Sequence, residues 1–385
     1  MKYKLGEICE IVSGSTPKTS ISEYWDGKVK WITPAELKED TYIIEDSVRK
    51  ITEKAVKDTG LTSFPEGTVI LSSRAPIGKV AIAGCEMYCN QGFKNLICSD
   101  KIYNRYLYWF LRGKTKYLES LGRGATFKEI SKQIVANIEI DIPDLCEQHK
   151  IVRVLERINK LIGLRQEESK YLDSLIKARF VELFGEPTTN PMGWDETTIG
   201  DECFYIKDGP HKSLPDIGKE NGGHPFISVR NIVNGYIDFS TARYISDADY
   251  ADAIKKCQPE KGDMLYSKGG TTGIAKLIDT DEQFANWVHV AVLKFDRSKL
   301  NGVFFENMLN SAYCYEQSQR LTKGIANRDL VLSAMAQIKM YRPPIKLQQQ
   351  FAAFVAQTNK SKAAIQKSLD ETQLLFDSLM QEYFG

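Results

Sequence analysis

Apolar positions along the chain follow two different periods. Short apolar runs bounded by Gly, Pro, Asn and Asp are typical of β-strands joined by long loops, and they lie at residues 69–71, 80–83, 94–97, 226–229 and 288–295. Two other stretches carry positions spaced by four and three residues, starting at Ile151 and at Phe351. Seven of ten such positions are apolar in each stretch, so each stretch predicts a long helix with a heptad seam.

Further elements complete a unit of mixed helices and strands. Residues 104–121 and 302–321 predict helices, each followed by a loop that contains glycine. Alternating isoleucines at 138–142 predict a closing strand that ends at Pro143, and residues 338–340 repeat this pattern.

Each long helix spans about 38 residues, or roughly 57 Å at 1.5 Å per residue. Its apolar stripe needs a partner, and the other helix is the simplest one. The polar interruptions of the seams fall mid-helix, at Arg165 and Ser169 in the first and at Thr358 and Lys362 in the second. An antiparallel pair would bring these interruptions together. The alternative is that each helix packs on its own head.

The chain contains the same scaffold twice. At an offset of 200 residues, Gly124 corresponds to Gly324, Pro143 to Pro343 and Gln148 to Gln348. Upstream the offset is slightly smaller, and Leu5 corresponds to Ile199, Ser72 to Ser267 and Gly78 to Gly273. Nearly every residue between these landmarks differs. This is expected of two heads that share a framework and recognise different things.

The repeat predicts an α/β (α+β) fold with two tandem heads and two long helices that form an antiparallel coiled-coil spacer. The predicted boundaries are 1–144 for the first head, 145–185 for the first spacer helix, 186–344 for the second head and 345–385 for the second spacer helix. Residues 1–144 and 186–344 are called the first head and the second head.

Charge changes this picture only locally. The net charge of +1 does not indicate a polyanionic partner. Residues 101–132, however, contain eight basic and two acidic residues, a local net charge of +6. This run suits either phosphate binding or a solvated helix face. We favour phosphate binding, because the run ends at the repeated loop.

The sequence indicates a cytoplasmic protein without a metal centre. The eight cysteines are scattered without a CxxC pair, so free thiols are expected rather than a zinc site. Residues 1–14 contain no long apolar run, and we expect neither a signal peptide nor a membrane span. The four histidines are also scattered, so neither a catalytic triad nor a metal cluster is expected.

The repeated segments carry a distinctive signature. Its residues are Gly124, Ile130, Ile138, Ile140, Ile142, Pro143, Leu145, Glu147, Gln148, Ile151 and Val152, and in the second copy Gly324, Leu330, Ile338, Pro343, Pro344 and Gln348. Together with the paired helices and the openings at 13–17 and 208–211, this signature resembles the specificity (S) subunit of type I restriction-modification systems over essentially the whole chain. The second copy departs from the family pattern at Arg342, Gln348 and Phe351, so its junction with the helix is degenerate.

The resemblance implies a division of labour. Each head would be a target recognition domain that reads one half of a bipartite, asymmetric sequence in double-stranded DNA. The helices would set the length of the unread spacer and dock two modification subunits, which bind S-adenosylmethionine and methylate adenine. Restriction (motor-nuclease) subunits, which use ATP and Mg, would join for cleavage. This chain would bind no cofactor and would catalyse no reaction by itself.

The motifs of a catalytic subunit are missing from the sequence. Residues 190–193 and 342–345 lack the order of the (N/D)PPY loop that an adenine methyltransferase needs. Residues 73–80 do not form a P-loop, because they begin without glycine and end without a hydroxyl. An enzyme fused to its own recognition domains is therefore not supported. A two-headed protein-interaction scaffold without DNA specificity stays open.

Loops on each head must supply phosphate contacts, which position the protein, and base-edge contacts, which specify the sequence. Arg and Lys suit guanine, whereas Asn and Gln suit adenine. The candidates are Thr16, Lys18, Arg74, Lys79, Gln91, Arg123, Thr126 and Lys128 in the first head, and Lys207, His211, Lys212, Arg230, Asn231, Lys268, Thr271, Lys323, Asn327 and Arg328 in the second. Arg74, Lys268 and Arg328 are favoured, since they occupy corresponding places in repeated turns. The alternative for each candidate is an ordinary surface residue.

Overall fold

The computed structural model describes residues 1–38, 41–74, 76–124, 128–325 and 327–385. The chain divides into two units, one formed by Met1–Gln166 with Lys367–Gly385 and the other by Glu167–Gln366. Each unit therefore combines one head with part of each long helix.

The first head begins and ends in the same small sheet. Its elements are β1 (Lys2–Lys4), α1 (Leu5–Ile8), β2 (Cys9–Ser13), β3 (Trp25–Ile32), β4 (Ile43–Ile44), β5 (Lys50–Ile51), α2 (Glu53–Thr59), β6 (Val69–Ser72), β7 (Val80–Ala83), β8 (Tyr88–Cys89), β9 (Phe93–Cys98), α3 (Asn104–Gly113), α4 (Thr115–Ser120), α5 (Lys132–Ala136) and β10 (Glu139–Asp141). The sheets have the orders β2-β9-β6-β7-β4, β5-β3-β8 and β1-β10. The strands predicted at 69–71, 80–83 and 94–97 are confirmed as β6, β7 and β9.

The first spacer helix, α6, runs from Leu145 to Phe184. The second head then repeats most of the first, with β11 (Glu196–Thr198), α7 (Ile199–Glu202), β12 (Cys203–Asp208), β13 (His224–Ile227), β14 (Arg243–Ile245), α8 (Asp247–Lys256), β15 (Met264–Ser267), β16 (Ala275–Leu277), β17 (Ala285–Asn286), β18 (Val290–Phe295), α9 (Gly302–Leu309), α10 (Ala312–Leu321), α11 (Leu332–Met335) and β19 (Lys339–Tyr341). Its sheets have the orders β12-β18-β15-β16, β14-β13-β17 and β11-β19. The second spacer helix, α12, runs from Ile345 to Phe384.

The repeat predicted from the sequence is confirmed in the sheets, although among the described residues the main sheet has five strands in the first head and four in the second. The closing strand pairs antiparallel with the first strand in each head, with Tyr3 opposite Ile140 and Thr197 opposite Met340. The centres of the two main sheets also correspond, because β9 lies between β2 and β6 as β18 lies between β12 and β15. The two heads therefore share one framework.

The helices predicted at 104–121 and 302–321 are each broken into two. In the first head, Lys114 ends α3 and precedes α4 with φ −102° and ψ 15°. In the second head, the Asn310 side chain leaves the helix and exchanges two hydrogen bonds of 2.9 Å with the backbone of Ala275. Ser311 then caps α10 by accepting a hydrogen bond from the Cys314 amide. The spacing of apolar residues does not reveal these breaks. The second break depends on hydrogen bonds to Ala275, which lies in the neighbouring strand β16.

In the first unit, both spacer helices pack on the head. Ile158 of α6 and Phe376 of α12 belong to one buried apolar cluster. The Phe376 ring also meets the ring of Trp109 in α3 edge to face, with centroids 5.6 Å apart. Between the helices, Arg165 donates a hydrogen bond of 2.6 Å to the Ser368 carbonyl. The polar interruption at Arg165 is thus used as a contact between helices.

In the second unit, the two helices pair antiparallel. The Phe351 ring of α12 is fully buried and lies 5.4 and 5.6 Å from the rings of Phe180 and Phe184 in α6. Further along, Lys362 pairs with Asp173. Residue numbers rise along α6 as they fall along α12, which makes the pair antiparallel. The predicted helix pairing is confirmed, and the helices also pack on the heads in addition to pairing.

A buried glutamine fastens each spacer helix to its head. Gln148 accepts a hydrogen bond of 2.8 Å from the Tyr103 amide and donates to the carbonyls of Lys101 and Pro143 at 3.1 and 3.0 Å. Gln348 makes the equivalent contacts with the Asn301 amide and the carbonyls of Lys299 and Pro343, at 2.8, 3.3 and 2.7 Å. The second junction is therefore complete in structure although its sequence departs from the family pattern.

Within the described residues, no helix combines the length and the apolar character that a membrane span requires.

Candidate nucleic-acid interface

Four loops of each head are joined to one another by backbone contacts. They are the opening loop (13–18 and 208–213), the glycine turn (72–74 with 76–79, and 267–274), the link loop (90–92 and 287–289) and the bridge loop (123–124 with 128–129, and 323–325 with 327–329), each defined by its described residues. Most of the candidate residues lie on these loops, so their arrangement decides which side chains can act together.

Glycine lets the opening loop pass close to the strand that precedes the link loop. A Cβ on Gly14 would collide with the carbonyl oxygens of Cys89 and Asn90, and one on Gly209 would collide with the backbone of Asn286. In the first head, the Ser15 amide then donates to the Cys89 carbonyl at 2.9 Å. Glycine at this repeated position is therefore needed for close approach of the backbone.

The glycine turn has the same hydrogen bonds in both heads. Gly78 and Gly273 both have φ of 91°, a conformation that L side chains rarely adopt. Each donates to the carbonyl of a serine, Ser72 or Ser267, at 3.0 Å. The same serine hydroxyl accepts the amide of the residue after the glycine, at 2.8 and 2.9 Å respectively. The pairing of these residues in the sequence thus identified a conserved turn geometry within the chain.

The bridge loop is closed on itself and attached to the glycine turn. Arg123 and Glu129 exchange two backbone hydrogen bonds of 3.0 and 2.9 Å, and Lys323 and Asp329 exchange two of 2.9 Å. The next residue donates to the turn, from Ile130 to Ser73 at 3.0 Å and from Leu330 to Lys268 at 2.7 Å. Position 73 in the first head therefore corresponds to position 268 in the second.

The structure places the candidate residues in three environments. Those with exposed side chains are Thr16, Lys18, Gln91, Arg123, Lys128, Lys207, His211, Lys212, Arg230, Thr271, Lys323 and Asn327. Arg74, Lys79 and Arg328 are half-buried, whereas Asn231 and Lys268 are buried. Thr126 lies outside the described residues.

Two of the predicted DNA contacts do not fit this burial. Asn231 is 1% exposed, and its amide group is used internally, accepting from Ser228 and donating to Asp238 and Thr241. It holds the turn that follows β13. Lys268 is 5% exposed and pairs with carboxylates of the second head. The basic or amide chemistry that suggested these residues serves the framework instead.

In the first head, the structure brings several predicted residues together. The Thr16 hydroxyl bonds the side-chain oxygen of Gln91, which joins the opening loop to the link loop. Arg74 donates to the Glu129 carboxylate at 2.9 Å, and Lys79 donates to the carbonyl of Leu37 at 2.5 Å. Thr16 and Gln91 face solvent, so they remain the best placed of these residues for a base contact.

The second head contains a groove of about 520 Å³ where the glycine turn, the link loop and the bridge loop meet residues 228–230. Its lining includes Arg230, Gly269, Trp287, His289, Asn327 and Arg328. The Trp287 and His289 rings meet edge to face at 4.9 Å, and the Trp287 indole donates to the Lys212 carbonyl at 3.2 Å. The His289 Nδ1 atom is buried and has no hydrogen-bond partner among the described residues. Guanidinium, amide and aromatic groups of this kind suit base edges and thymine methyl groups.

The link loops and bridge loops also contain two aromatic and two acidic residues that were not among the candidates from the sequence. Trp287 and His289 were missed because aromatic residues between strands are usually core. Glu129 and Asp329 do not have the chemistry of a DNA ligand, because a carboxylate repels phosphate. Their offset of 200 within the repeated signature was the available signal.

The basic run at 101–132 does not form one continuous basic face. Arg105 pairs with Glu156 at 2.8 Å, and the Arg112 guanidinium lies 5.3 Å from the Trp109 ring centroid. Arg123, Lys128 and Lys132 are exposed at or beside the bridge loop. Exposed basic side chains therefore occur along the run, at Lys101 and Lys116 as well as at its end.

Among the described residues, no cluster of His, Cys, Asp and Glu is arranged to hold a metal ion. The groove and loops present side chains suited to recognition.

Comparisons with known proteins identify relatives of this chain. The family model of the type I restriction modification DNA specificity domain matches residues 1–173 and 191–372. The MjaIX type I restriction enzyme specificity subunit of Methanocaldococcus jannaschii is 31% identical over 395 residues, covering 98% of this chain and 90% of that protein. The MjaVIII specificity subunit of the same organism is 22% identical over 367 residues and covers 91% of this chain and 83% of that protein.

Solved structures share the fold. The type I restriction-modification S subunit from M. genitalium matches with a TM-score of 0.59 at 15% identity, covering 100% of this chain and 96% of that one. A chain from a study of complex assembly and conformational transition of the type I R-M system matches with a TM-score of 0.62 at 18% identity, covering 100% and 97%.

Proposed function

The chain belongs to the specificity subunits of type I restriction-modification systems, a non-catalytic component of these complexes, and we propose that each head reads one half of a bipartite, asymmetric sequence in double-stranded DNA. One observation carries this proposal. The same four loops occur in both heads, and the glycine turn, link loop and bridge loop make matching backbone hydrogen bonds in each, yet the exposed side chains of the loops differ. Two different half-sites would require this combination.

The loops supply both kinds of contact that DNA recognition needs. Exposed basic residues on the bridge loops, Arg123 and Lys128 in one head and Lys323 in the other, are placed to bind phosphates. In the second head, Arg230 and Asn327 line the groove beside Trp287, where they would contact base edges.

The spacer helices are proposed to set the distance between the half-sites. Each contains 40 residues, which corresponds to about 60 Å of helix. They also carry exposed apolar side chains, including Val154, Leu164 and Leu374 at 36%, 49% and 72% exposure. We assign these exposed apolar side chains to the docking of two modification subunits.

The cofactors follow from this assignment. S-adenosylmethionine would bind to the modification subunits, and ATP and Mg to the restriction subunits, while this chain would bind neither. We also propose a cytoplasmic location, which suits a DNA-bound complex and a chain whose eight cysteines are free thiols.

The test is methylome mapping of cells that express this chain with its neighbouring modification subunit. We expect a new adenine-methylated motif of two short defined blocks around a fixed undefined gap. Cells with the modification subunit alone are the control and should lack the motif. A soluble complex that produces no new motif would refute the proposal.

A protein-interaction scaffold was the alternative function, and the family matches give it no support. Salt dependence separates the two functions. Neutralising phosphates makes the logarithm of the binding constant fall steeply with the logarithm of salt concentration. A slope near zero for binding to duplex DNA would favour a scaffold.

A further inference from the structure

A buried lysine ties three loops of the second head together. The Lys268 side chain is 6% exposed, and its Nζ lies 3.0 Å from Asp329 Oδ1 and 3.5 Å from Asp208 Oδ2. Asp208 is itself buried and accepts a hydrogen bond of 2.7 Å from Lys256. Lys268 belongs to the glycine turn, Asp329 to the bridge loop and Asp208 to the opening loop. One ammonium group thus connects all three.

The first head makes the same contact with a different lysine. Lys94 of β9 is 5% exposed, and its Nζ lies 3.2 Å from both Glu129 Oε1 and Ser73 Oγ. Arg74 donates to the other oxygen of Glu129 at 2.9 Å. Burial opposes ionisation of Glu129, but the hydrogen bonds from Arg74 and Lys94 outweigh burial and lower the pKa of this carboxyl.

The two lysines lie at different positions of the shared fold, but each pairs with the carboxylate at the same position of the bridge loop. Ser73 is the backbone equivalent of Lys268, because both accept the amide of the residue after the bridge loop. Where the first head has serine, the lysine comes from the neighbouring strand and still reaches the bridge loop. Glu129 and Asp329 correspond at an offset of 200. An ammonium–carboxylate contact that persists while its lysine changes strand points to a role for the contact itself.

Stability alone is a poor explanation for such a contact. Removing an ammonium and a carboxylate from water costs free energy that their attraction offsets only when the geometry is good. An apolar pair of the same size would stabilise a loop as well. Each lysine here is buried, whereas its bridge-loop carboxylate is partly exposed, with side-chain exposures of 43% for Asp329 and 32% for Glu129. A buried ammonium left without its partner is strongly unfavourable, so the lysine fixes the position of the carboxylate. The bridge loop carries the exposed basic residues proposed to bind DNA.

We propose that Lys268 and Lys94 are positioning residues, each of which locks the bridge loop of its head in the conformation that discriminates one half-site. This inference rests on the proposed DNA recognition. Lys268 was a candidate DNA ligand from the sequence, and its burial assigns it this indirect role. In the second head the lock also includes the opening loop through Asp208. In the first head, Ser13 replaces this aspartate and the lock joins only the bridge loop and the glycine turn.

The first test measures the lock without DNA. Hydrogen exchange is followed by mass spectrometry in the full chain bound to its modification subunit, for wild type, Lys268→Met, Lys268→Arg and the matched exposed-lysine control Lys323→Met. In Lys268→Met we expect at least about tenfold faster exchange in peptides from residues 268–274 and 327–331, with the first head unchanged. Lys268→Arg should restore protection, because Arg74 shows that a guanidinium can serve this carboxylate position. Wild-type exchange in Lys268→Met would overturn the inference.

The second test measures discrimination on the methylated motif found by methylome mapping. Methylation rates are compared for duplexes with the intact motif and for duplexes with either half-site scrambled. Lys268→Met should lose about tenfold in discrimination, comparable to one base pair, at one half-site only, and Lys94→Met at the other. Lys323→Met should instead reduce the salt dependence of binding. If Lys268→Met weakens both half-sites equally, the lysine does not position one loop and the inference fails.

A third variant covers the case in which Lys268→Met fails to fold. The double variant Lys268→Met with Asp329→Asn leaves no unbalanced charge between the two loops. It should fold, and it should still lose discrimination at the same half-site. Unchanged discrimination in this variant would overturn the inference. Failure of the wild type to methylate any bipartite motif would refute the proposed function, and hydrogen exchange would still decide whether the lock exists.

Discussion

Replacing Gln148 with alanine should loosen the junction between the first head and its spacer helix without disturbing the equivalent junction in the second head. Gln148 is fully buried and makes three hydrogen bonds, one to an amide and two to carbonyls. Alanine would leave all three backbone groups without these partners. The amide concerned is that of Tyr103, which immediately precedes α3.

The expected cost follows from these three bonds. A neutral hydrogen bond contributes about 1 kcal/mol net, and a buried group left without a partner costs about 1–3 kcal/mol. Water can reach part of the opened junction, so we expect a total of about 2–4 kcal/mol. Since 1.4 kcal/mol corresponds to a factor of ten, the amide of Tyr103 should exchange roughly 30- to 700-fold faster. Gln148→Met, which keeps the length and removes the polar groups, should behave similarly.

The second head supplies the control. Gln348 is equally buried and protects the Asn301 amide with the same geometry. Hydrogen exchange measured on the full chain should therefore show a crossed pattern. Gln148→Ala should affect the peptide containing Tyr103 alone, and Gln348→Ala the peptide containing Asn301 alone. Equal changes in both peptides, or wild-type protection in Gln148→Met, would refute the role of the glutamine in holding the helix to the head.

Four further predictions test other parts of the molecule. Deleting four residues from each spacer helix should shorten the undefined gap of the methylated motif by about two base pairs, since 6 Å of helix is lost; an unchanged gap would exclude the helices as a ruler. Arg328→Ala should weaken discrimination at one half-site only, measured by methylation of scrambled duplexes, and equal loss at both would count against it. Phe351→Ala should destabilise the second unit by about 3–5 kcal/mol in urea unfolding, whereas Leu374→Ala, at a position 72% exposed, should have little effect. The pKa of Glu129 lies below the ordinary glutamate value of 4.5, so the ionised carboxylate stabilises the fold above pH 4.5. This stabilisation is lost as the pH falls through the lowered pKa. The difference in unfolding free energy between wild type and Glu129→Gln should therefore shrink in acid, and a constant difference would contradict the assignment.

Features that depend on sequence period were predictable, and features that depend on distant partners were not. The strand at Val69–Ser72 and the seam around Phe351 are visible as apolar spacing, because burial on one face acts on neighbouring positions. The role of Lys268 is different. It has the chemistry of a DNA ligand, yet the carboxylate that binds it lies 61 positions later on Asp329. Only the fold brings the two together.

Comparison of the two heads separates framework from recognition better than the chemical type of any single residue. Positions that make the same backbone contacts in both heads, such as Gly14 and Gly209, belong to the framework whatever DNA is read. The link loops keep a shared backbone contact but differ in the side chain at that position. The backbone carbonyl that accepts the amide of Ser73 or Lys268 belongs to Gly92 in one head and to His289 in the other. At such a position the side chain can change, and with it the preferred DNA sequence, with little loss of folding stability. Specificity is therefore expected to reside in the link loop and in the groove that it forms with the bridge loop, rather than in the most basic residues of the chain.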